Sequence, residues 1–236
     1  MDLSACFPVW EALTPEERGR LTRSALRRHA PAGTLLHGGG RECVGLLAVQ
    51  SGRLRAYILS GDGREITLYR LLSRDVCLFS AACMLRGARL DILVEAEKDA
   101  WLWVIPAAVY EDMMRASAAL ANYTNALMAD RFSEVTWLLG QVLWSRQDRR
   151  LASFLLEERT LQGEDALAIT HERIAAHLGT AREVVTRLLR YFRSEGMVRL
   201  TRGTVTLTDV GRLRALAETA DGDGRGGAGE TNKGER

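Results

Sequence analysis

Histidine, cysteine and proline each occur only four times in 236 residues, and aromatic side chains make up 6% of the chain. Each scarcity removes a class of function. A metal-dependent cupin-like enzyme needs clustered histidine and carboxylate ligands, yet the glycine-punctuated N-terminal half offers only His29 and His37, eight positions apart. Cys6, Cys43, Cys77 and Cys83 fall outside any C-x-x-C spacing, which points to a cytosolic chain with reduced thiols. There is no G-x-S-x-G elbow, Walker loop or H-E-x-x-H, so no enzyme is expected. Long apolar runs are missing too. The opening MDLSACFPVWEALTPEE is acidic and interrupted by Pro8 and Pro15, so neither a membrane span nor a signal peptide is expected, and the expected compartment is the cytoplasm. No internal repeat is present. The chain is 47% hydrophobic with a net charge of only +2, and it is long enough for two domains.

The most informative stretch runs from Ile169 to Phe192. Ile174, Ala175 and Leu178 line one face of a short amphipathic helix, and Val185, Leu188 and Leu189 line one face of a second. Gly179 lies between them, where a tight turn asks for positive φ. A small Ala175 lets the two helices approach. These features together are a helix-turn-helix. Arg182, Glu183, Thr186 and Arg187 project from the first turns of the second helix, the part of such a motif that enters the major groove. Arginine suits guanine O6 and N7, and glutamate can accept from cytosine N4. Taken alone, Glu183 and Arg187 also fit an ordinary i, i+4 surface pair. The surroundings favour DNA: from Ile169 to Arg214 there are nine arginines against four acidic residues.

These residues resemble the DNA-binding half of the catabolite-activator and fumarate–nitrate-regulator (CRP/FNR) family of bacterial transcription factors. The resemblance implies that Arg182, Glu183 and Arg187 read base edges with Thr186 tuning the half-site. It also implies double-stranded DNA with a palindromic operator, a second copy of the chain and RNA polymerase as partners, with no membrane involved. Ala181 stands where the family usually has a capping serine, leaving Thr180 as the nearest hydroxyl, and Val184 replaces a hydroxyl that often touches phosphate. Thr170, at the start of the first helix, joins the candidate DNA contacts. Past Gly196, Met197 to Leu200 and Thr204 to Leu207 read as a hairpin wing that can bring Arg199 or Arg202 to phosphate. Thr208-Asp209 can cap a last helix.

Towards the N-terminus, Thr14-Pro15-Glu16-Glu17 starts a helix, and residues 9–29 read as one or two helices with His29 at a helix end. From there, short alternating segments (Leu46 to Val49, Arg53 to Leu59, Glu65 to Leu71, Asp91 to Glu97) and glycine turns predict an antiparallel roll, with Ser60 to Arg64 as a hairpin tip. The order Gly33-Thr34, Ser51-Gly52-Arg53 and Asp62-Gly63-Arg64-Glu65 resembles the sensory roll of the same family. In its cyclic-nucleotide binders a Gly-Glu pair, a short helix and an Arg-Ser pair hold the phosphate. Here those places align with Arg74-Asp75 and Arg89-Leu90, so fewer donors remain and a cyclic nucleotide is disfavoured. Cys77 and Cys83 flank the short helix. Three roles are open to them: small core residues, a redox pair, or soft ligands for haem or metal together with Met84 or His37. The cofactor is thus undetermined, with haem one option.

After Pro106 the pattern turns helical. Ala107 to Ala116 forms one short helix and Ser117 to about Trp144 one long one. On it Met128, Phe132, Val135, Leu139 and Val142 recur as a heptad seam for a second copy, while Leu120, Tyr123, Leu127 and Leu138 face the roll. Val135 and Thr136 align where the family's cyclic-nucleotide binders place polar groups against the base. The expected fold is α+β: an antiparallel, cyclic-nucleotide-binding-like β-roll with flanking helices (1–116), a dimerisation helix (117–145), a winged helix-turn-helix (146–220) and a disordered tail (221–236). The expected function is a homodimeric DNA-binding regulator switched by a signal in the roll, or one that needs no effector.

Overall fold

The computed structural model describes residues 2–38, 44–78 and 91–218. The tail 221–236, Cys43, Cys83, Met84 and Arg89, with the short helix expected between the two cysteines, lie outside the described residues. Contacts divide the chain into two compact units. One is Met1–Leu139 with Thr170–Val185; the other is Gly140–Ile169 with Thr186–Arg236.

The first unit opens with α1 (Leu3–Cys6), a 3-10 turn (Trp10–Ala12) and α2 (Pro15–Ser24). Thr14 and Glu17 close a reciprocal capping box. Glu17 N–H donates to Thr14 Oγ1 at 3.3 Å, and Thr14 N–H donates to the Glu17 carboxylate at 2.7 Å. Pro15 fills the first helical position, where its missing N–H costs nothing. Six strands follow: β1 (Leu26–Ala30), β2 (Leu35–His37), β3 (Leu46–Leu59), β4 (Glu65–Leu71), β5 (Val76–Cys77) and β6 (Ile92–Ile105). They pair antiparallel in the order β1-β6-β3-β4, with β2 also on β6 and β5 also on β3. One expectation is corrected here. His29 is not a helix-end residue but the fourth residue of β1, opposite Trp101 with the two rings 4.8 Å apart. Its strand state comes from a remote partner, which overrides local preference.

β3 is one strand of 14 residues, where the sequence reads as two segments. It passes through Gly52, whose φ is +93°, and a Cβ there would sit 2.2 Å from the Asp99 carbonyl oxygen. Only glycine lets the two backbones lie this close.

Alternation along β3, β4 and β6 sorts side chains onto two faces. Leu54, Ala56, Tyr69, Leu71, Val94 and Ala96 fill the inner core together with Leu47, Val49, Cys77 and Leu102. The opposite face carries Arg53, Arg55, Arg70, Glu95 and Glu97. There Arg55 pairs with Glu65 and, at 3.0 Å, with Glu95, its register partner on β6. Arg53 and Arg70 each come within 3.0 Å of Glu97 Oε2.

A second core forms where Leu46, Ala48 and Ile105 meet Leu3, Phe7, Leu21 and two helices, α3 (Ala107–Ala116) and α4 (Ala118–Trp144). The chain bends at Ser117, whose φ and ψ are extended. Leu120 and Leu127 of α4 are buried in this core with Tyr123 beside them, as the roll-facing stripe predicts, whereas Leu138 of that stripe is half-buried and not part of this core. Tyr110 and Thr124 share a buried hydroxyl–hydroxyl hydrogen bond of 2.8 Å.

The remainder of the chain gives α5 (Gln147–Gln162), β7 (Ala166–Ala168), α6 (His171–Leu178), α7 (Arg182–Ser194), β8 (Val198–Thr201), β9 (Thr204–Leu207) and α8 (Val210–Glu218). In the second unit α5 packs on α8 through Leu151, Leu155 and Leu213, all fully buried. The wing is a three-stranded sheet, β7-β9-β8. β7 was not legible in the sequence, being three residues long with Leu167 its one buried side chain. Asp209 caps α8, accepting from Arg212 N–H at 2.9 Å.

Gly52→Ala is expected to lower the unfolding free energy by about 2 kcal/mol or more, since it combines a forbidden φ with a backbone clash. Urea denaturation of both proteins measures it, and an unchanged midpoint would refute the close-approach role.

Candidate functional site

The helix-turn-helix is built by two caps. Thr170 precedes α6 and its Oγ1 accepts from Arg173 N–H at 3.2 Å, which caps the helix start through the oxygen's acceptor side. α6 ends at Gly179, with φ +63° and ψ +37°, and Thr180 N–H donates to the Ala175 carbonyl at 3.1 Å. Gly179 is also held sterically, because an added Cβ would stand 3.0 Å from the Ile66 side chain of β4.

α7 follows at once. Ala181, the residue before it, has no side-chain oxygen to cap it. Val185, Leu189 and Phe192 are fully buried, which leaves Arg182, Glu183 and Arg187 exposed and Thr186 half-buried on the other side of the helix. Among the described residues no ion pair joins Glu183 to Arg187, so the simple surface-pair reading is not realised. Arg182 lies 3.8 Å from Glu172, with both side chains largely in solvent, a weak contact that leaves its donors available. Arg190, one turn beyond Arg187, is exposed as well. It was legible from its spacing but not singled out. Arg199 and Arg202 are exposed on the wing, Arg202 beside the turn glycine Gly203 at φ +74°. Exposed guanidiniums on a helix and on a hairpin supply bidentate donors for base edges and point charges for phosphates.

The candidate sensor residues are arranged less simply. Asp75 accepts the Leu72 N–H at 2.7 Å, closing a tight turn in which Arg74 takes a left-handed φ of +79°. That is a glycine-like backbone carrying an arginine. Cys77 is buried on β5 opposite Leu47 and belongs to the inner core. Beside this turn is a cavity of about 550 Å³ lined by Arg74, Asp75, Tyr123, Leu127, Arg131 and Glu134 among others. Val135 and Thr136 are not in its lining.

Arg131 is a residue that sequence reasoning passed over. It occupies the roll-facing stripe one turn after Leu127. It is buried, its guanidinium lies 4.7 Å above the Tyr69 ring, and it grips Glu134 at 2.7 and 2.8 Å. Burial, with the Cys77 thiol adding to it, pushes the Tyr69 hydroxyl well above its ordinary range.

The proposed seam on α4 is largely bare. Phe132 is 74% exposed and Leu139 55%, and Val142 is exposed too, while Val135 is half-buried. Met128 is instead packed partly against the second core. Trp137 and Leu143, not among the seam residues, are also strongly exposed. Among the described residues no helix is long and apolar enough to cross a membrane.

A roll, a long helix and a winged helix-turn-helix in one chain define a class of DNA-binding transcription regulators. Residues 27–117 match the cyclic nucleotide-binding domain model, and residues 149–216 match the Crp-like helix-turn-helix domain model. A solved structure of a CRP/FNR-family transcriptional regulator from Eubacterium rectale is 50% identical, covers 91% of this chain and 99% of its own, and superposes with a TM-score of 0.88. The cyclic AMP receptor protein of Thermus thermophilus is 29% identical over 210 residues, 89% of this chain and 96% of its own length. The fumarate and nitrate reduction regulatory protein of Salmonella typhimurium is 24% identical over 192 residues, 78% of this chain and 76% of its own. The chain belongs to the CRP/FNR family, and it is a DNA-binding transcription regulator.

The buried position of Cys77 has a direct chemical consequence. In the native protein Cys77 should resist alkylation by iodoacetamide for hours and react fully in denaturant. Peptide mass mapping checks this, and rapid native modification of Cys77 would return it to the redox candidates.

Proposed function

We propose that this regulator works as a homodimer, with the two α7 helices reading half-sites of a palindrome about one DNA turn apart, roughly 34 Å. The observation that carries this reading is the pairing of two exposed features on separate elements: an unneutralised arginine face on α7 and an apolar seam on α4. Phe132, Leu139 and Val142 leave more contiguous apolar surface than a lone helix keeps in water, and a twin helix is the symmetric way to cover it. Val135 completes the seam, and Met128 sits at its roll-side end. Arg182, Glu183 and Arg187 are assigned to base edges, Thr186 to half-site preference, and Thr170, Thr180, Arg199 and Arg202 to positioning on the backbone.

The signal is assigned to the region where β5 faces α4. Asp75 and Arg131 lie on either side of the 550 Å³ cavity, so occupation of it changes how α4 rests on the roll. Regulation is then a population shift, with the effector favouring one arrangement. Cyclic AMP, the ligand in the name of the Thermus relative, fits this chain poorly: Asp75 is committed to its turn, and hydrophobic Val135 replaces a polar partner. Of the roles open to Cys77, its place in the inner core supports the structural one. That favours a small polar ligand over a redox or haem signal. Contact with RNA polymerase is expected from the family, and the cytoplasm is the compartment such a role requires.

Arg187→Ala is expected to cost about 1–3 kcal/mol on the cognate operator and to flatten sequence preference, whereas Arg202→Ala weakens all sequences alike and lowers the salt slope by about one. Equal losses for Arg187→Ala on cognate and random duplex would remove its base-reading role. In analytical ultracentrifugation the wild-type chain should sediment as a dimer and Leu139→Glu as a monomer with at least tenfold weaker operator binding. A wild-type monomer would overturn the two-fold arrangement.

A further inference from the structure

The charged outer face of the roll is not open to solvent. α6 lies against β4, Gly179 abuts Ile66, and Arg173 of α6 pairs with Glu95 of β6 at 2.8 Å. At the centre is His177, a buried histidine that the DNA-reading function does not use. Its Nδ1 is 2.8 Å from Thr67 Oγ1, and its Nε2 is 3.2 Å from Glu97 Oε1 and 3.1 Å from Arg70 Nη2. One neutral tautomer suits Thr67 and Glu97 together: Nε2–H donates to Glu97, and Nδ1 accepts from the Thr67 hydroxyl.

We propose that α6 is held on the roll by a proton-sensitive latch, in which neutral His177 seated on the Glu97 carboxylate keeps α6 docked and uptake of a proton by His177 releases it. The charges around the ring supply the reason. β3 presents Arg53 and Arg55, β4 presents Glu65 and Arg70, β6 presents Glu95 and Glu97, and α6 itself carries Glu172 and Arg173. Glu95 and Glu65 already serve Arg55, with Arg173 also on Glu95, and Glu97 already serves both Arg53 and Arg70. An imidazolium here is a third cation on one buried carboxylate. Burial pushes the imidazole down to about 4, with Arg70 and Arg173 acting in the same direction against Glu97. Burial alone would raise Glu97, but its hydrogen bond with His177 and the guanidiniums of Arg70 and Arg53 bring it to about 2.

The docked state therefore binds fewer protons than the released one. Docking is fully favoured above 6.5, the ordinary value of a histidine, and is lost progressively as pH falls from there towards 4. Glu97 adds to the same trend only below its ordinary value of 4.5. Because α6 is followed after the Gly179 turn by the first turn of α7, which lies in the same compact unit, release of α6 frees Arg182 and Glu183 from a position set by the roll. That consequence rests on the DNA-reading assignment, whereas the latch itself can be read without DNA.

The test uses the full chain free of DNA. The histidine ring resonances are followed by NMR from pH 7.5 to 4, with His177 assigned in the wild-type chain by through-bond connection of its ring to its own backbone amide. Hydrogen exchange of α6 amides is measured over the same range and corrected for intrinsic rate. His177 is expected to stay neutral down to about pH 5, and α6 protection to fall roughly tenfold per pH unit below 6.5 while β3 stays protected. In His177→Gln that pH dependence should vanish. Titration of wild-type His177 near 6.5 with α6 still protected, or α6 protection that is flat with pH, overturns the proposal. So does loss of protection in β3 together with α6, which would be global unfolding. The wild-type measurements decide even if the variant does not fold.

Discussion

At the carboxylate of Glu97 the outer face of the roll and α6 are joined. Glu97 stands on β6, and two other strands and a helix converge on it through Arg53, Arg70 and His177, each within 3.2 Å. A charge this buried is costly unless it is paired, and pairs in low dielectric are costly to break from one side only. The outer face of the roll therefore has one low-energy arrangement, in which α6 covers it and completes the hydrogen bonding. Specific geometry, more than raw stability, is what such a network contributes.

The helix-turn-helix was readable because its signals are local. Gly179, the apolar face of Val185 and Leu189 and the exposed arginines all lie within one short stretch and fall where the spacing predicts, although Leu188 of that face is only half-buried and Phe192 joins it. The capping box at Thr14 and the hairpin at Ser60 to Arg64 were legible for the same reason. What failed depends on distant partners. His29 becomes a strand residue because β6 is there to receive it. β7 is strand because β9 pairs with it. Arg131 and His177 draw no reading from the sequence, because the groups that bury them, Tyr69 for one and Thr67, Arg70 and Glu97 for the other, come from distant strands. Asp75 was legible as a candidate ligand, but its use in a turn with the Leu72 N–H was not.

α4 shows how one helix can serve two masters without conflict. Leu120 and Leu127 anchor it to the second core, and on the stripe displaced around the helix Phe132, Leu139 and Val142 stay exposed. Arg131, where roll-facing burial meets the first bare seam residue, Phe132, sits at the changeover. Any rearrangement of the β5 turn that moves Arg131 is felt at once by Phe132, its neighbour on the same helix.

β6 has a consequence for how the chain is made. β1, β2 and β3 all pair with it, and it is the last strand of the roll to emerge from the ribosome. Among the described residues, β2 must wait for Val94 and Glu95 and β1 for residues 100–104 before either can pair, whereas the β3–β4 hairpin with β5 can form earlier. The nascent roll must wait with its strand edges open, a state vulnerable to mispairing. Slow translation just beyond β6 would give those edges time to close before the helical half of the chain arrives.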